Sequence, residues 1–517
     1  MAVIDFWDRG WRSNPTGTAY VQGNRRYSYQ EVGELTCRIA NGLIAQGYSR
    51  GSRAAVLAAN DALAWTCVLG LFRAGVCYIP VNPRNTPAET EAILDLFDCE
   101  VLFFQQQFAP LLQQIRASLP KIRLWVCIDG GADRSASLDS WAAEQATVRP
   151  DVAVELEDVI TLSATGGTTG APKGVMNSHR AFQTYFAHFM IAFPYGMARP
   201  VNLAAAPMTH TAGMLSLPCS ARGGTVVILE KPDPLQVLDR IERERVTELF
   251  LPPTVIYRLL DIPACVGRDY SSLRYFLYGA APMSVEKLKQ AIQVFGPVMS
   301  GGYGQTEAPA AISYLAPQEH FVDGQLASDE RLSSVGRPCP LIRVEIMDDS
   351  GSMLPQGATG EICVQGDLLM TGYYKAPDKT AETIVNGWLH TGDIGHLDAE
   401  GYLHITDRKK DMIISGGFNV YPSEIEQVIW GHEAVRDCAV IGVPDDKWGE
   451  AVKAVIELKA GRSVTAEELI ALCKSRLGSV KAPKSIDFIE SLPRSPVGKV
   501  LKKDLRQKYW QGRQRKI

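Results

Sequence analysis

A glycine-rich segment of the chain reads TLSATGGTTGAPKGVMNSHRAF from residue 161 to residue 182. Residues 158–162, where it begins, are mostly apolar or β-branched and predict a buried strand. Residues 165–174 hold four glycines, three threonines and one lysine, a composition that predicts a loop. Ser178 is a residue type that caps helices, and apolar side chains follow it at helical spacing. The segment therefore predicts a strand, a loop and a helix whose apolar face is formed by Phe182, Tyr185, Phe186, Phe189, Met190 and Phe193.

Strands and helices alternate on both sides of this segment. Residues 77–81 predict a strand, residues 87–98 a helix and residues 99–105 the next strand, and the pattern continues to about residue 325. Such alternation indicates a mainly parallel sheet covered by helices, and thus an α/β fold. Residues 342–366 instead predict two strands joined by a glycine-rich turn. From about residue 408 the chain mixes short strands and helices, as a small α+β domain does.

The loop has the chemistry of a phosphate-binding site. Glycines let backbone N–H groups approach an anion, while threonine hydroxyls and a lysine add donors and positive charge. It is not the GxxxxGK[ST] loop of P-loop NTPases, because Pro172 precedes Lys173 and Gly174 follows it. A merely flexible surface loop would need neither the threonines nor the lysine. The predicted phosphate-binding residues are Thr165, Gly166, Gly167, Thr168, Thr169, Gly170 and Lys173.

Composition excludes several other classes of protein. The 53 Lys and Arg against 57 Asp and Glu give a net charge of −4, whereas nucleic-acid binders usually carry a basic excess. The uncharged run at residues 62–72 is shorter than the roughly 20 residues that span a bilayer. The 11 cysteines show no CxxC spacing and predict buried small side chains in a reducing cytoplasm, not a zinc site or a disulfide framework.

Three further motifs complete a pattern that resembles the AMP-forming adenylating enzymes, which include acyl-CoA synthetases, firefly luciferase and the adenylation domains of peptide synthetases. They read GGYGQTEAP at residues 301–309, GWLHTGD within residues 387–426, and PRSPVGKVLKKDL at residues 493–505. The resemblance is strongest to bacterial acyl- or aryl-CoA synthetases. It implies a large N-terminal domain of layered α/β sheets plus a distorted β-barrel, residues 1–409. A small mobile α+β lid, residues 410–517, would turn about Lys410.

The resemblance assigns the nucleotide site. Thr306 would donate to the α-phosphate, and Glu307 would hold Mg²⁺, which prefers carboxylate and phosphate oxygens; taken alone, Glu307 would be a solvated surface acid. Asp393 would accept both ribose hydroxyls, and Arg408 would lie near the ribose and phosphates. Thr168 would be a second metal ligand. The segments expected to surround adenine are Gly279, Ala280 and Ala281, with Gly302, Tyr303 and Gly304.

The same resemblance places two functions in the lid. Lys499 would approach the carboxylate and the α-phosphate during adenylation, which is reasonable electrostatic catalysis. Ser415, Gly416 and Gly417 would line the tunnel for the pantetheine arm of coenzyme A, although a tight turn explains these glycines equally well. The implied cofactors are ATP, Mg²⁺ and coenzyme A.

The acyl pocket is predicted from His210, Met208, Tyr278 and Pro309. Amino-acid-activating members of the family place an aspartate in this region to pair with the α-ammonium group of the substrate. Residues 207–213 contain no acid here, and a buried unpaired ammonium group would be costly. An amino-acid substrate is therefore disfavoured, and a hydrophobic fatty or aryl acid is expected.

The sequence thus predicts a carboxylate–CoA ligase acting on a small-molecule acid, with no nucleic-acid partner and no membrane span. Three alternatives stay open: loading of an acyl carrier protein, a luciferase-like oxygenase, and a non-catalytic nucleotide-binding protein. The last would predict loss of Lys499 or Glu307, yet both are present. The oligomeric state is not specified, and a homodimer would be unsurprising.

Overall fold

The structure is a computed structural model of the chain. It describes residues 1–131, 135–165, 173–209, 211–445, 447–494 and 500–510. Four larger β-sheets and a two-stranded hairpin, Phe321–Val322 with Gln325–Leu326, organise these residues.

A nine-stranded sheet forms one layer of the large N-terminal part. Six of its strands are parallel to their neighbours, and antiparallel strands close both edges. In spatial order the strands are Arg337–Pro338, Ala308–Leu315, Met299–Gln305, Tyr275–Gly279, Glu248–Leu251, Val201–Ala204, Thr225–Ile228, Thr18–Gln22 and Arg25–Ser28.

An eight-stranded sheet forms the second layer, and most of its pairs are also parallel. The expected mainly parallel arrangement is therefore present in both layers. Its strands, in spatial order, are Gly372–Tyr373, Lys173–Ser178, Val159–Thr165, Cys77–Pro80, Arg53–Leu57, Val101–Phe104, Leu124–Cys127 and Ala136–Ser137.

The glycine-rich segment differs from its prediction in one respect. Lys173–Ser178 is a strand that pairs antiparallel with Val159–Thr165, so the glycine-rich residues join two strands rather than a strand and a helix. The strand has partners on both sides, because Gly372–Tyr373 pairs with its other edge. Tertiary pairing thus recruits a short polar stretch whose sequence alone does not indicate a strand. The helix follows as predicted, and Ser178 caps it by accepting from Ala181 N.

Helices cover these sheets, and the main core lies between the layers. The helices His179–Ala192 and Ala62–Arg73 contribute large buried side chains such as Phe186, Tyr185 and Phe72. The other helices of the large part are Val3–Ser13, Tyr29–Ala45, Pro87–Leu96, Ala109–Ile115, Leu138–Ala143, Thr211–Ala221, Pro234–Arg243, Pro253–Leu260, Val285–Phe295, Asp329–Ser333 and Pro377–Thr383.

A five-stranded antiparallel sheet occupies the place of the expected barrel portion. Its first two strands, Ile342–Met347 and Gly360–Gly366, form the hairpin that the sequence predicted. The remaining strands are Trp388–Leu397, Leu403–Arg408 and Ile384–Val385.

The small C-terminal part has its own sheet and its own core, as an α+β domain requires. Its strands are Ile413–Ser415, Phe418–Val420, Val435–Asp445, Gly449–Leu458 and Ser485–Ile489, and its helices are Pro422–Trp430, Ala466–Lys481 and Lys502–Gln507.

The cysteine side chains and the helix lengths can be compared with what the composition predicted. All 11 cysteines are buried and free, as expected of small apolar side chains. None of the helices that the structure describes has both the length and the apolar character needed to cross a bilayer.

Candidate active site

The described ends of the glycine-rich loop lie together at the end of a hairpin. Thr165 is paired with Lys173, and Thr165 Oγ1 donates to the Lys173 carbonyl at 3.4 Å. Gly166, Gly167, Thr168, Thr169 and Gly170 lie outside the described residues, as do His210 and Lys499. Their predicted roles remain predictions.

Lys173 and Glu307 meet at a third side chain that the sequence analysis missed. Tyr373 donates its hydroxyl to Glu307 Oε1 at 2.9 Å, and Lys173 Nζ lies 4.7 Å from the centre of the Tyr373 ring. The pairing of Gly372–Tyr373 with Lys173–Ser178 brings Tyr373 beside the strand of Lys173, and Met370 N, three residues before Tyr373, donates to the Glu307 carbonyl at 2.8 Å. A predicted phosphate-binding lysine and a predicted metal ligand therefore share one location.

The motif at residues 301–309 is a second hairpin. Thr306 and Glu307 form its turn, because Gln305 pairs with Ala308 on the neighbouring antiparallel strand. Asn177, buried on the strand Lys173–Ser178, donates its side-chain amide to the Thr306 carbonyl at 3.0 Å. The two loop motifs are thus fixed to one another through Asn177. Pro309 is half-buried just beyond the turn, and Gly304 just before it.

Close packing between two backbones explains why a glycine is needed at residue 279, opposite Gly302. These residues pair on parallel strands, and a Cβ on Gly279 would lie 2.5 Å from the Gly302 carbonyl oxygen. Ala280 follows with a φ of 64°, a conformation that costs an alanine of the order of 1–3 kcal/mol and that clusters at functional sites. The chain therefore turns sharply at Ala280, and Ala281 lies beyond the end of the strand Tyr275–Gly279.

The predicted adenine and ribose residues are in direct contact. Tyr303 donates its hydroxyl to Asp393 Oδ2 at 2.7 Å, and Arg408 Nε lies 3.0 Å from Asp393 Oδ1. Asp393 is only 4% exposed. Burial and the neighbouring Asp393 carboxylate raise the pKa of Tyr303, which keeps its hydroxyl a donor. Burial lowers the pKa of Arg408, but the negative groups around it, Asp393 first, together raise the pKa above its ordinary value, so Arg408 is a cation.

Arg408 also links the two halves of the site. Glu307 is among the carboxylates whose charge raises the pKa of Arg408, after Asp393. The charge of Glu307 is therefore felt at the guanidinium that contacts the ribose residue Asp393.

The predicted acyl residues do not all lie together. Met208 packs in the same core cluster as Tyr303 and Tyr185, and its backbone N donates to Asn60 Oδ1 at 2.8 Å. Tyr278 packs in a different cluster, where its hydroxyl donates to His320 Nε2 at 3.1 Å. Burial lowers the pKa of His320 to about 4, so its ring is neutral and accepts this bond. Tyr278 thus belongs to a separate buried pair.

The predicted pantetheine loop is a hairpin tip. Ser415 pairs with Phe418, and the intervening Gly416 and Gly417 have φ values of 60° and 84°, as glycine permits in a two-residue turn. Gly416 N donates to the Trp448 carbonyl at 2.8 Å. Phe418 is 60% exposed, so the tip is open to solvent in this orientation.

The two residues that flank the predicted hinge residue Lys410 form ion pairs with different parts of the protein. Lys409 Nζ contacts Asp349 of the large part at 2.7 Å. Asp411 contacts Arg506 of the small part at 2.5 Å. Lys410, between them, is exposed, and its carbonyl accepts from Arg506 at 3.4 Å.

Lys499 has described neighbours on both sides. Arg494 contacts Asp437 at 2.5 Å, and the half-buried Lys502 contacts Glu426 at 2.7 Å. Both contacts stay within the small part and fix the ends of the segment that carries Lys499.

The donor set fits a nucleotide with a hard divalent cation. Glu307 offers carboxylate oxygen, and Lys173 and Arg408 offer charge to phosphates. Within the described ranges, no three His, Cys, Asp or Glu side chains gather as a metal site. A cation here would thus take most of its oxygens from phosphate and water, as Mg²⁺ does.

Two family models match the chain. Residues 7–374 match the AMP-binding enzyme family, and residues 424–499 match the AMP-binding enzyme C-terminal domain.

Three curated relatives are enzymes that activate acids. A medium/long-chain-fatty-acid–CoA ligase, FadD8, from Mycobacterium tuberculosis is 42% identical over 73% of this chain and 66% of its own length. A feruloyl-CoA synthase from an Amycolatopsis species is 35% identical over 96% of this chain and 97% of its own. A fatty acid–[acyl-carrier-protein] ligase, ScoC, from Streptomyces coeruleorubidus is 32% identical over 97% and 95%.

Two solved structures share the fold over nearly the whole chain. The amide bond synthetase McbA from Marinactinospora thermotolerans has a TM-score of 0.89 at 32% identity, covering 98% of this chain and 100% of its own. The anthranilate CoA ligase AuaEII, in complex with anthranoyl-AMP, has a TM-score of 0.91 at 25% identity, covering 98% and 97%.

Proposed function

The chain belongs to the AMP-binding enzyme family and is an AMP-forming ligase that joins an acid to a thiol, and we propose that it couples a hydrophobic fatty or aryl carboxylic acid to coenzyme A. The observation that carries this proposal is the direct contact of Asp393 with Tyr303 and Arg408, with the Thr306–Glu307 turn directly after the strand that carries Tyr303. One site then holds a ribose acceptor, an aromatic ring and a metal–phosphate carboxylate.

The first proposed step forms an acyl-adenylate. The acid's carboxylate oxygen attacks the α-phosphorus of ATP, the bond to the β-phosphate oxygen breaks, and pyrophosphate leaves. Glu307 would hold Mg²⁺, which would supply positive charge to the phosphates when bound. Lys173 and Arg408 add fixed positive charges nearby, and Thr306 donates to an α-phosphate oxygen. Lys499 approaches the developing charge from the small domain.

The second step transfers the acyl group. The sulfur of the thiol attacks the carbonyl carbon of the adenylate, and AMP leaves with the bonding electron pair. The Gly416–Gly417 tip would admit the thin pantetheine arm, because neither residue has a side chain there. All 11 cysteines are buried, which supports a mechanism without a cysteine nucleophile.

The apolar character of the pocket supports the choice of acid. Met208, Tyr185 and Met214 belong to the core cluster that contains Tyr303. Two relatives carry names that specify fatty and ferulic acids, both of which are largely apolar. A charged ammonium or a second carboxylate would lack a partner among these side chains.

The test is pyrophosphate release by the purified full chain with Mg·ATP and a panel of acids. The panel spans short, medium and long fatty acids, hydroxycinnamic and benzoic acids, a dicarboxylate and amino acids. We expect release with fatty or aryl acids, and an acyl-CoA product by mass spectrometry when coenzyme A is added. Release with amino acids alone would overturn the substrate proposal.

Acyl transfer to a carrier protein is the second candidate, because its phosphopantetheine arm would fit the same exposed tip and one relative is named as such a ligase. Parallel reactions with coenzyme A and with a holo carrier protein separate the two. Oxygen uptake with the acyl-adenylate would instead indicate a luciferase-like oxygenase.

A further inference from the structure

Tyr373 is joined to both charged groups of the metal–phosphate site. Its hydroxyl donates to Glu307 Oε1 at 2.9 Å, and its ring lies beneath Lys173 Nζ at 4.7 Å. The residue is buried, and its backbone N donates to Thr380 Oγ1 at 2.8 Å. The ring therefore has a fixed place between a carboxylate and an ammonium group.

We propose that Tyr373 is a positioning residue that holds the Glu307 carboxylate by Oε1, so that Oε2 is presented to the metal–triphosphate, while its ring face guides Lys173. The inference rests on the proposed function, because it gives Tyr373 a task in Mg·ATP binding. It is also specific, since it names one oxygen of one carboxylate.

The chemistry of the donor favours this role. A phenol hydroxyl restrains a carboxylate oxygen without bringing a charge that would compete with a bound cation. Burial, followed by the charge of Glu307, raises the pKa of Tyr373, and the hydroxyl therefore stays protonated at neutral pH. The ring face attracts the ammonium of Lys173 by a cation–π interaction.

The next residue shows the contrasting case. Tyr374 donates its hydroxyl to Asp98 Oδ2 at 2.7 Å. Asp98 is also bound by Lys121 and Lys375, each at 2.7 Å, so its charge is compensated within the protein. Two adjacent tyrosines thus each hold a carboxylate, and Tyr374 is the matched control.

The experiment measures equilibrium ATP binding across a Mg²⁺ titration, a readout that does not depend on knowing the acid. We expect Tyr373→Phe to raise the Mg²⁺ concentration for half-maximal ATP binding by roughly 3- to 10-fold, the weight of one hydrogen bond. Tyr374→Phe should leave the curve unchanged. Thermal unfolding without ligand checks that both variants fold.

The double variant distinguishes positioning from a general structural effect. Tyr373→Phe should add no shift when Glu307→Gln is already present, because Tyr373 acts through that carboxylate. An unshifted Mg²⁺ curve for Tyr373→Phe, or the same shift in both backgrounds, overturns the inference. An unchanged Mg²⁺ dependence for Glu307→Gln overturns it too.

Failure of the proposed function gives a different result. If no acid in the panel releases pyrophosphate while Tyr373→Phe still shifts the Mg²⁺ curve, the ligase proposal fails and the role of Tyr373 stands.

Discussion

Asp393 and Arg408 face each other across two antiparallel strands, with Arg408 Nε 3.0 Å from Asp393 Oδ1. The Tyr303 hydroxyl binds the other carboxylate oxygen at 2.7 Å. Both oxygens of Asp393 are thus engaged before any ribose arrives. An incoming diol must share them or displace the tyrosine.

Replacing Asp393 should weaken ATP binding. Asp393→Asn keeps the shape of the side chain but removes its charge and turns an amide towards Arg408 or Tyr303. Hydrogen bonds to charged groups contribute about 1.5–3 kcal/mol, so we expect the apparent KM for ATP to rise by at least about 10-fold. Steady-state kinetics at saturating acid and thiol provide the measurement.

Asp398→Asn is the matched control for that change. Asp398 also faces a basic side chain, His404 Nε2 at 2.9 Å, and lies in the turn after the same strand. Its KM for ATP should match that of the unmodified protein. An unaltered KM for Asp393→Asn would remove Asp393 from the ribose site.

The sequence motifs named candidate site residues one by one, but they did not show which of those residues are in contact. Periodicity and capping located the helix after Ser178, since those signals are local. The strand Lys173–Ser178 was missed because its partners on both sides, rather than its own composition, make it a strand. Tyr373 was missed for a similar reason: it binds a carboxylate 66 positions away in the sequence. The hydrogen bond between the Tyr278 hydroxyl and His320 is likewise a contact that no motif records.

Filling the hairpin tip should separate the two half-reactions. Gly417 has a φ of 84°, and a Cβ there would meet nothing within 4 Å, so Gly417→Leu carries backbone strain but no clash. We expect acyl transfer from supplied acyl-adenylate to slow by at least 10-fold while adenylation is nearly unchanged. Single-turnover kinetics measure each step separately.

Gly461→Leu controls for the strain itself. Gly461 has a φ of 72°, also has open space around it, and lies in a different turn of the small domain. It should lose comparable stability yet keep both half-reactions. Equal slowing of acyl transfer in the two variants would contradict the tunnel assignment.

His188 should make the large domain sensitive to mild acid. Its Nδ1–H donates to the Ala311 carbonyl at 3.1 Å, and its Nε2 accepts from Leu341 N at 3.2 Å, so the neutral tautomer satisfies both. Burial lowers its pKa from 6.5 to about 4. As the pH falls, His188 therefore takes up a proton in the unfolded chain before it does so in the folded protein. Stability from this residue is complete above pH 6.5 and is lost as pH falls towards 4.

Replacing His188 with a side chain that does not titrate tests the direction of this pH dependence of stability. His188→Gln should unfold more easily at pH 7.5, because an amide fits the two bonds less well. Between pH 6.5 and 4 its free energy of unfolding should fall less steeply than that of the unmodified protein, by up to about 1.4 kcal/mol per pH unit. Parallel slopes in denaturant titrations would show that His188 does not titrate in this window.

Asp407 should favour the orientation of the small domain seen here. It precedes the pivot Lys410, yet its Oδ2 accepts from Ser423 N at 2.9 Å in the first turn of the helix Pro422–Trp430. Tyr421, the residue at the N-cap position, makes no side-chain cap of its own. A carboxylate from before the hinge thus caps a helix after it, a contact worth about 0.5–2 kcal/mol. Rotation about Lys410 would break it.

If the tip at Gly417 admits the thiol as proposed, its exposure to solvent means that acyl transfer needs a different orientation of the small domain. Asp407→Ala should therefore slow adenylation by roughly 2- to 30-fold without slowing acyl transfer.

Lys499→Ala should slow adenylation far more than Asp407→Ala does. Lys410→Pro should slow acyl transfer instead, because proline fixes φ near −65° at the pivot. Single-turnover rates of both half-reactions test all three, with Asp407→Asn as the control that keeps a capping side chain. If Asp407→Ala slows both steps equally, the cap stabilises the fold without selecting an orientation.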